Sequence, residues 1–218
     1  MGIQSDIQRV REFRGVSLTR TLAGIEADLL GCYKNDVAGA AEHLSVDSEL
    51  LLAAAGVKDA SAQIDVVIHA VGILYSLPYL LVKSEFIEAI SLGAGNAAGE
   101  HDLITSRRLA EFKFIRWRTK GNAVREKSVF EDFVKLVMAD TTKDKYLYLL
   151  DGSKTSKFLS GKSSTVRLLD RSLKLTERYK RRYQNRFPTV GDFYREFANE
   201  ISMVDLPDVV PGIEALII

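Results

Sequence analysis

Asp102, Glu111 and Lys113 are the residues whose types and spacing could do chemistry. They lie in GEHDLITSRRLAEFKFIRW, where two short β-rich runs flank Ser106 and Arg107. A turn centred between those two residues pairs Thr105 with Arg108, Ile104 with Leu109, Leu103 with Ala110 and Asp102 with Glu111, whether the loop has two residues or four. Opposed residues of an antiparallel pair have Cβ atoms about 4.5–5.5 Å apart, and like charges there oppose pairing. A hard divalent cation between the two carboxylates relieves that repulsion, taking carboxylate oxygens and completing its shell with water. Side chains alternate along a strand, so Lys113 shares the face of Glu111. Its ammonium is then placed to orient a water or to steady a developing negative charge.

The neighbours Leu109, Ala110, Phe112, Phe114 and Ile115 are apolar on both faces, the pattern of a central strand buried on both sides. Ionisable side chains in such a strand are costly unless used or paired. On these residues alone a second reading stays open, in which Glu111 and Lys113 form a plain ion pair and Asp102 is a solvated hairpin acid.

The elements around this pair follow from periodicity. Residues 17–60 read as helices, with Gly31 and Gly56 as stops, and an apolar helix runs from about Ile64 to Pro78. The stretch Val66–Val82 carries no Lys, Arg, Asp or Glu but falls short of the ~20 residues a spanning helix needs, so it is expected as a buried core helix. Three antiparallel strands are expected from Glu85 onward. A helix opening at a capping-box-like Ser128 and Glu131 follows, then a strand in KYLYLLDG ending at Asp151-Gly152. From Ser164 the pattern is helical again. The expectation is an α/β (α+β) fold: a mixed central sheet with helices on both faces and extra N- and C-terminal helices. Residues 1–60 form an N-terminal helical segment, 61–155 the core, and 156–218 a basic helical segment packed with the core as one domain.

Composition narrows the function classes. The 218 residues carry 30 Lys plus Arg against 29 Asp plus Glu, for a net charge of +1, which excludes a uniformly basic or an acidic-tail protein. A hydrophobic share of 46% excludes wholesale disorder. One cysteine, Cys32, and a start without a signal-peptide core fit a reducing, cytoplasmic setting with no membrane segment. Gly161-Lys162-Ser163 lacks the earlier glycine of a phosphate loop, since position 156 is serine, and the GAGNAAG glycines precede a strand-like run rather than a helix. His43, His69 and His101 have no metal-ligand spacing. His69, on the apolar helix near the acid pair, is a secondary candidate. Charge is uneven: Lys162–Arg186 holds nine Lys/Arg against Asp170 and Glu177, a net +7 that leaves −6 on the rest of the chain. A polyanion would find such a stripe by counterion release.

Asp102 followed by Glu111-Phe112-Lys113 resembles the PD-(D/E)XK nuclease superfamily, which includes type II restriction endonucleases, Holliday-junction resolvases and phage-defence effectors. The order of elements from Ile64 to Gly152 is similar to that superfamily's helix, three-stranded meander, helix, strand core, and covers about two fifths of the chain. The resemblance implies a restriction-endonuclease-like fold and Mg2+- or Mn2+-dependent hydrolysis of phosphodiester bonds, DNA being the expected substrate and restriction or antiphage defence the context. It implies that Asp102, Glu111 and the carbonyl of Phe112 are metal ligands and that Lys113 positions the attacking water. The proline of the family name is replaced by His101. For a second metal the first helix offers only Asp65, with Glu88 on the first strand as a substitute. Arg116, Arg118, Arg178, Arg181 and Arg182 are the expected phosphate contacts. Tyr179 and Tyr183 either stack on bases or pack inward. The alternative is a non-catalytic nucleic-acid-binding or assembly module of the same fold. The apolar EALII end would suit a homodimer or a partner protein.

Overall fold

The computed structural model describes residues 2–29, 46–62, 64–93, 100–114, 117–118, 121–170 and 172–214. Gly31, Cys32, His43, Gly95, Gly99, Ile115, Arg116 and residues 215–218 lie outside them. The chain divides into two compact units, Met1–Ile64 and Asp65–Ile218.

The first unit holds α1 (Ile3–Arg14), α2 (Leu18–Leu29) and α3 (Ser48–Ala60). Asp47 caps α3 by accepting from the Leu50 N–H, and Arg9 of α1 reaches both Asp47 and Glu49. Gly56, expected as a helix stop, lies inside α3. It serves a close approach instead: a Cβ there would sit 2.9 Å from Asp6 Oδ2 of α1.

The second unit is a mixed α/β layer structure around an open sheet of five strands in the order β1 (Ile87–Ile90), β2 (Leu103–Thr105), β3 (Arg108–Lys113), β4 (Asp144–Leu149) and β5 (Ser202–Asp205). The first two pairings are antiparallel and the last two parallel. Leu103 faces Ala110 and Ile104 faces Leu109, the register expected from the Ser106-Arg107 turn. Thr105 fixes that turn, its hydroxyl accepting from the backbone N–H groups of Arg107 and Arg108.

Alternation along β3 sends its side chains into two different cores. Leu109, with Leu147 and Leu149 of β4, packs against α5 (Ala123–Met138) and the helices α7 (Thr165–Leu169), α8 (Leu173–Tyr183) and α9 (Val190–Phe197). Ala110 and Phe112, with Tyr148, pack against α4 (Ile64–Leu80) and α10 (Leu206–Val209). The basic C-terminal segment is thus part of this unit's core. Glu111 and Lys113 belong to the α5 face.

Several expectations are corrected. Helix α5 starts at Ala123, so Ser128 is interior to it, and the reciprocal capping box is at Thr189 and Asp192 of α9. Strand β5 was not foreseen; Asp205 at its end accepts from the backbone N–H of Gly152 at 2.5 Å, tying it to the start of α6 (Gly152–Leu159). Helix α4 is not buried all round. It buries Gly72, Ile73, Ser76 and Leu77 and exposes Val67, Val71, Leu74 and Tyr75. By length and composition alone, the run from Ser48 to Leu80 is long and apolar enough to cross a membrane.

Gly72 is what lets α4 approach the sheet. A Cβ at that position would lie 2.5–2.8 Å from three ring atoms of Phe114. The same ring stacks on Phe112 and meets His69 edge-on, so one glycine sets the distance between α4 and the end of β3.

Candidate active site

The β2–β3 register carries Asp102, the residue leading into β2, to the position opposite Glu111. Its carboxylate does not bond Glu111. Oδ2 accepts the backbone N–H of Phe112 at 2.8 Å, and Oδ1 lies 3.2 Å from His69 Nε2 of α4. Burial pushes the Asp102 carboxyl up, but the hydrogen bonds from His69 and Phe112 outweigh burial and hold it below its ordinary value. Asp102 is therefore ionised at neutral pH.

Glu111 is in the opposite state. Its side chain is 3% exposed and its Oε1 sits 2.8 Å from His101 Nδ1. Burial first, then the nearby Asp132 and Asp102 carboxylates, push it up to about 10. Burial likewise lowers His101. A single proton between carboxyl and imidazole satisfies both.

Lys113 reaches across to α5, where it forms an ion pair with Asp132. The other Asp132 oxygen is 2.9 Å from Lys135 Nζ, one turn along the same helix. Burial pushes both ammoniums down, but the Asp132 carboxylate more than compensates and holds each above its ordinary value. Burial and Asp132 also raise Glu131. One end of the sheet thus gathers the Asp102, Glu111 and Asp132 carboxyls, two ammoniums and two imidazoles, with Glu131 beside them.

Sequence reasoning missed Asp132, Lys135 and the bonding role of His101. A signal for Asp132 was present: it falls among Val129, Phe133 and Leu136 on the buried side of α5, and a carboxylate there needs a partner. Nothing in the sequence says which partner.

No family model, curated protein or solved structure matches this chain.

The donor set fits a divalent cation by its chemistry. With Asp102, Glu111 and Asp132 all ionised, three carboxylates would face two ammoniums, and burial together with the neighbouring carboxylates keeps a proton on Glu111. Asp102 and Glu111 would hold the ion. Among the described residues no three His, Cys, Asp or Glu side chains are gathered as a metal cluster.

The other expected site residues are dispersed. Glu88, exposed on β1, pairs with Lys143 at 2.5 Å. Asp65 is at the first turn of α4. Arg118 donates its backbone N–H to the side chain of Asn122, the N-cap of α5. Arg178 pairs with Glu100, two residues before Asp102, which places the basic helix α8 at the rim of the site. Arg181 is exposed, and Arg182 is exposed while donating to the Met138 carbonyl and lying over the Tyr183 ring. Tyr179 and Tyr183 are buried among Phe187, Phe193 and Phe197. They pack inward and are not bases' stacking partners.

Proposed function

We propose that this protein is a divalent-metal-dependent phosphodiesterase of the PD-(D/E)XK, restriction-endonuclease-like type, acting on nucleic acid and most consistent with DNA. The observation that carries the reading is the meeting of Asp102, Glu111 and Lys113 at one end of β2 and β3, on residues spaced as that superfamily spaces them. A bound Mg2+ or Mn2+ would supply Lewis acidity at the phosphoryl oxygen and a more acidic water. The chain's own part is separable. Asp102, fixed by the Phe112 N–H, presents charge at a set position. Glu111 would hold the cation in place of its proton. Lys113, fixed by Asp132, holds its ammonium beside Glu111, where it orients the water. Helix α8, with Arg178 at the rim, supports a polyanionic substrate.

A non-catalytic nucleic-acid-binding or assembly module is the second reading. It is favoured by the way each carboxylate of the cluster already has a partner within it, His69 for Asp102, His101 for Glu111 and Lys113 with Lys135 for Asp132. One experiment separates the two: incubation of the purified protein with supercoiled, linear and single-stranded DNA and with RNA, with Mg2+, with Mn2+ and with chelator. Metal-dependent cleavage is expected. Binding without cleavage under either metal would favour the module.

A further inference from the structure

We propose that Lys135 is a second substrate-contacting cation of this site, donating to the phosphoryl oxygens from the α5 side while Lys113 serves the water. The inference rests on the nuclease reading and adds to it a residue outside the Asp102, Glu111 and Lys113 set. Asp132 is 6% exposed and divides its two oxygens between two ammoniums, Lys113 on one and Lys135 at 2.9 Å on the other. One buried carboxylate needs one counter-charge. Lys113 already supplies it, so Lys135 is the second and more exposed of two cations on one carboxylate.

Its placement suits a substrate. Lys135 is the more open of the two, 28% exposed against 14% for Lys113, so it is reachable from solvent. It shares Asp132 with Lys113, which stands two residues from Glu111 on the same face of β3, so it is on the side of the acid pair. It stands on a 16-residue helix whose opposite residues are locked in the core, so the ammonium is held by a rigid element. In the hydrolysis a water oxygen bonds phosphorus as one ester P–O bond breaks. One water proton ends on the departing hydroxyl, and the phosphoryl oxygens carry added charge in between. Lys135 donates N–H to those oxygens and transfers no proton.

The test is single-turnover cleavage of supercoiled plasmid DNA with Mg2+ and with Mn2+, alongside duplex affinity in Ca2+ and a melting curve. Lys135→Met should cut about 100-fold more slowly, the scale of losing one charge-stabilising donor, with affinity changed only a few-fold. Lys135→Arg should recover most of the rate, which a mere spacer would not require. A Lys135→Met protein cutting at the parental rate overturns the proposal. Should that variant unfold, Lys135→Gln, which keeps an N–H donor for Asp132 and loses the charge, should also cut about 100-fold more slowly; a folded Lys135→Gln protein cutting at the parental rate overturns the proposal. A wild-type protein that cuts no nucleic acid with either metal overturns the nuclease reading itself, and this inference with it.

Discussion

Phe112 donates its backbone N–H to Asp102 Oδ2 at 2.8 Å, so the acid leading into β2 is positioned by the backbone of the strand that carries Glu111. Charge and hydrogen-bonding capacity at Asp102 can therefore be separated. Asp102→Asn keeps an acceptor for that N–H and loses the charge, and should fold normally while losing Mn2+ binding by calorimetry and metal-dependent cleavage together. Asp102→Ala also strands the N–H, at a further cost of about 1–3 kcal/mol in a melting curve. Parental cleavage by the Asn variant would end the assignment.

Lys113 distinguishes enzyme from module. As the water-orienting cation it matters more to the transition state than to binding, so Lys113→Met should lower single-turnover cleavage by orders of magnitude with DNA affinity little changed. Asp132 keeps Lys135 in this variant, which limits the stability loss. A purely structural Lys113 predicts the reverse pattern: lower melting temperature and parental turnover in the fraction that remains folded.

Gly72 tests the approach of α4 to the sheet. Alanine in a helix interior is ordinarily better than glycine by roughly 0.5–1 kcal/mol. Here the added methyl meets the Phe114 ring at 2.5 Å, and overpacking of this kind costs about 1–3 kcal/mol. The clash should win, so Gly72→Ala is expected to melt lower. It should also disturb His69, whose ring touches Phe114. An unchanged or higher melting temperature would show that Phe114 moves aside freely.

Acid stability should depend on Glu85. Its carboxylate grips Arg108 through Nε and Nη2, while Arg108 Nη1 donates to the Tyr148 hydroxyl, a buried group of three beneath the α4 face. Burial pushes Glu85 up, but the Arg108 and Thr105 hydrogen bonds prevail and hold it below its ordinary 4.5. The unfolded chain therefore binds the proton first. The stabilisation is complete above pH 4.5 and is lost as pH falls through the lowered folded value. Glu85→Gln should be destabilised by about 3–5 kcal/mol at neutral pH, because a buried guanidinium loses its counter-charge, and the gap to wild type should narrow as pH falls through the lowered folded value. Parallel acid-melting curves would contradict this.

Charge reversal at Arg178, Arg181 and Arg182 should weaken duplex binding and flatten its dependence on salt, since fewer counterions are displaced. Arg178 faces Glu100 beside the site, so its reversal should have the largest single effect. Unchanged affinity and salt slope would make α8 an ordinary solvated face.

The relationship of Asp102 to Glu111 was determined by sequence alone, because it is local. A turn between Ser106 and Arg107 gives one register whatever the loop length, and strand alternation then places Lys113 with Glu111. The alternation of helix, strands, helix and strand was equally legible, since each element states its own period. What no local rule could give was the partner of Lys113. Asp132 and Lys135 lie inside a helix read from the sequence, yet which residue of α5 lies over the end of β3 depends on the phase and height at which that helix docks, a property of the packed core and not of its sequence period. The same holds for His69, carried to Asp102 only because Gly72 lets α4 descend onto Phe114. It holds too for β5, whose four residues become a strand by pairing with β4. Tyr179 and Tyr183 make the point in reverse: on the helix they read equally as bases' partners or core, and only the cluster around Phe193 decided for the core.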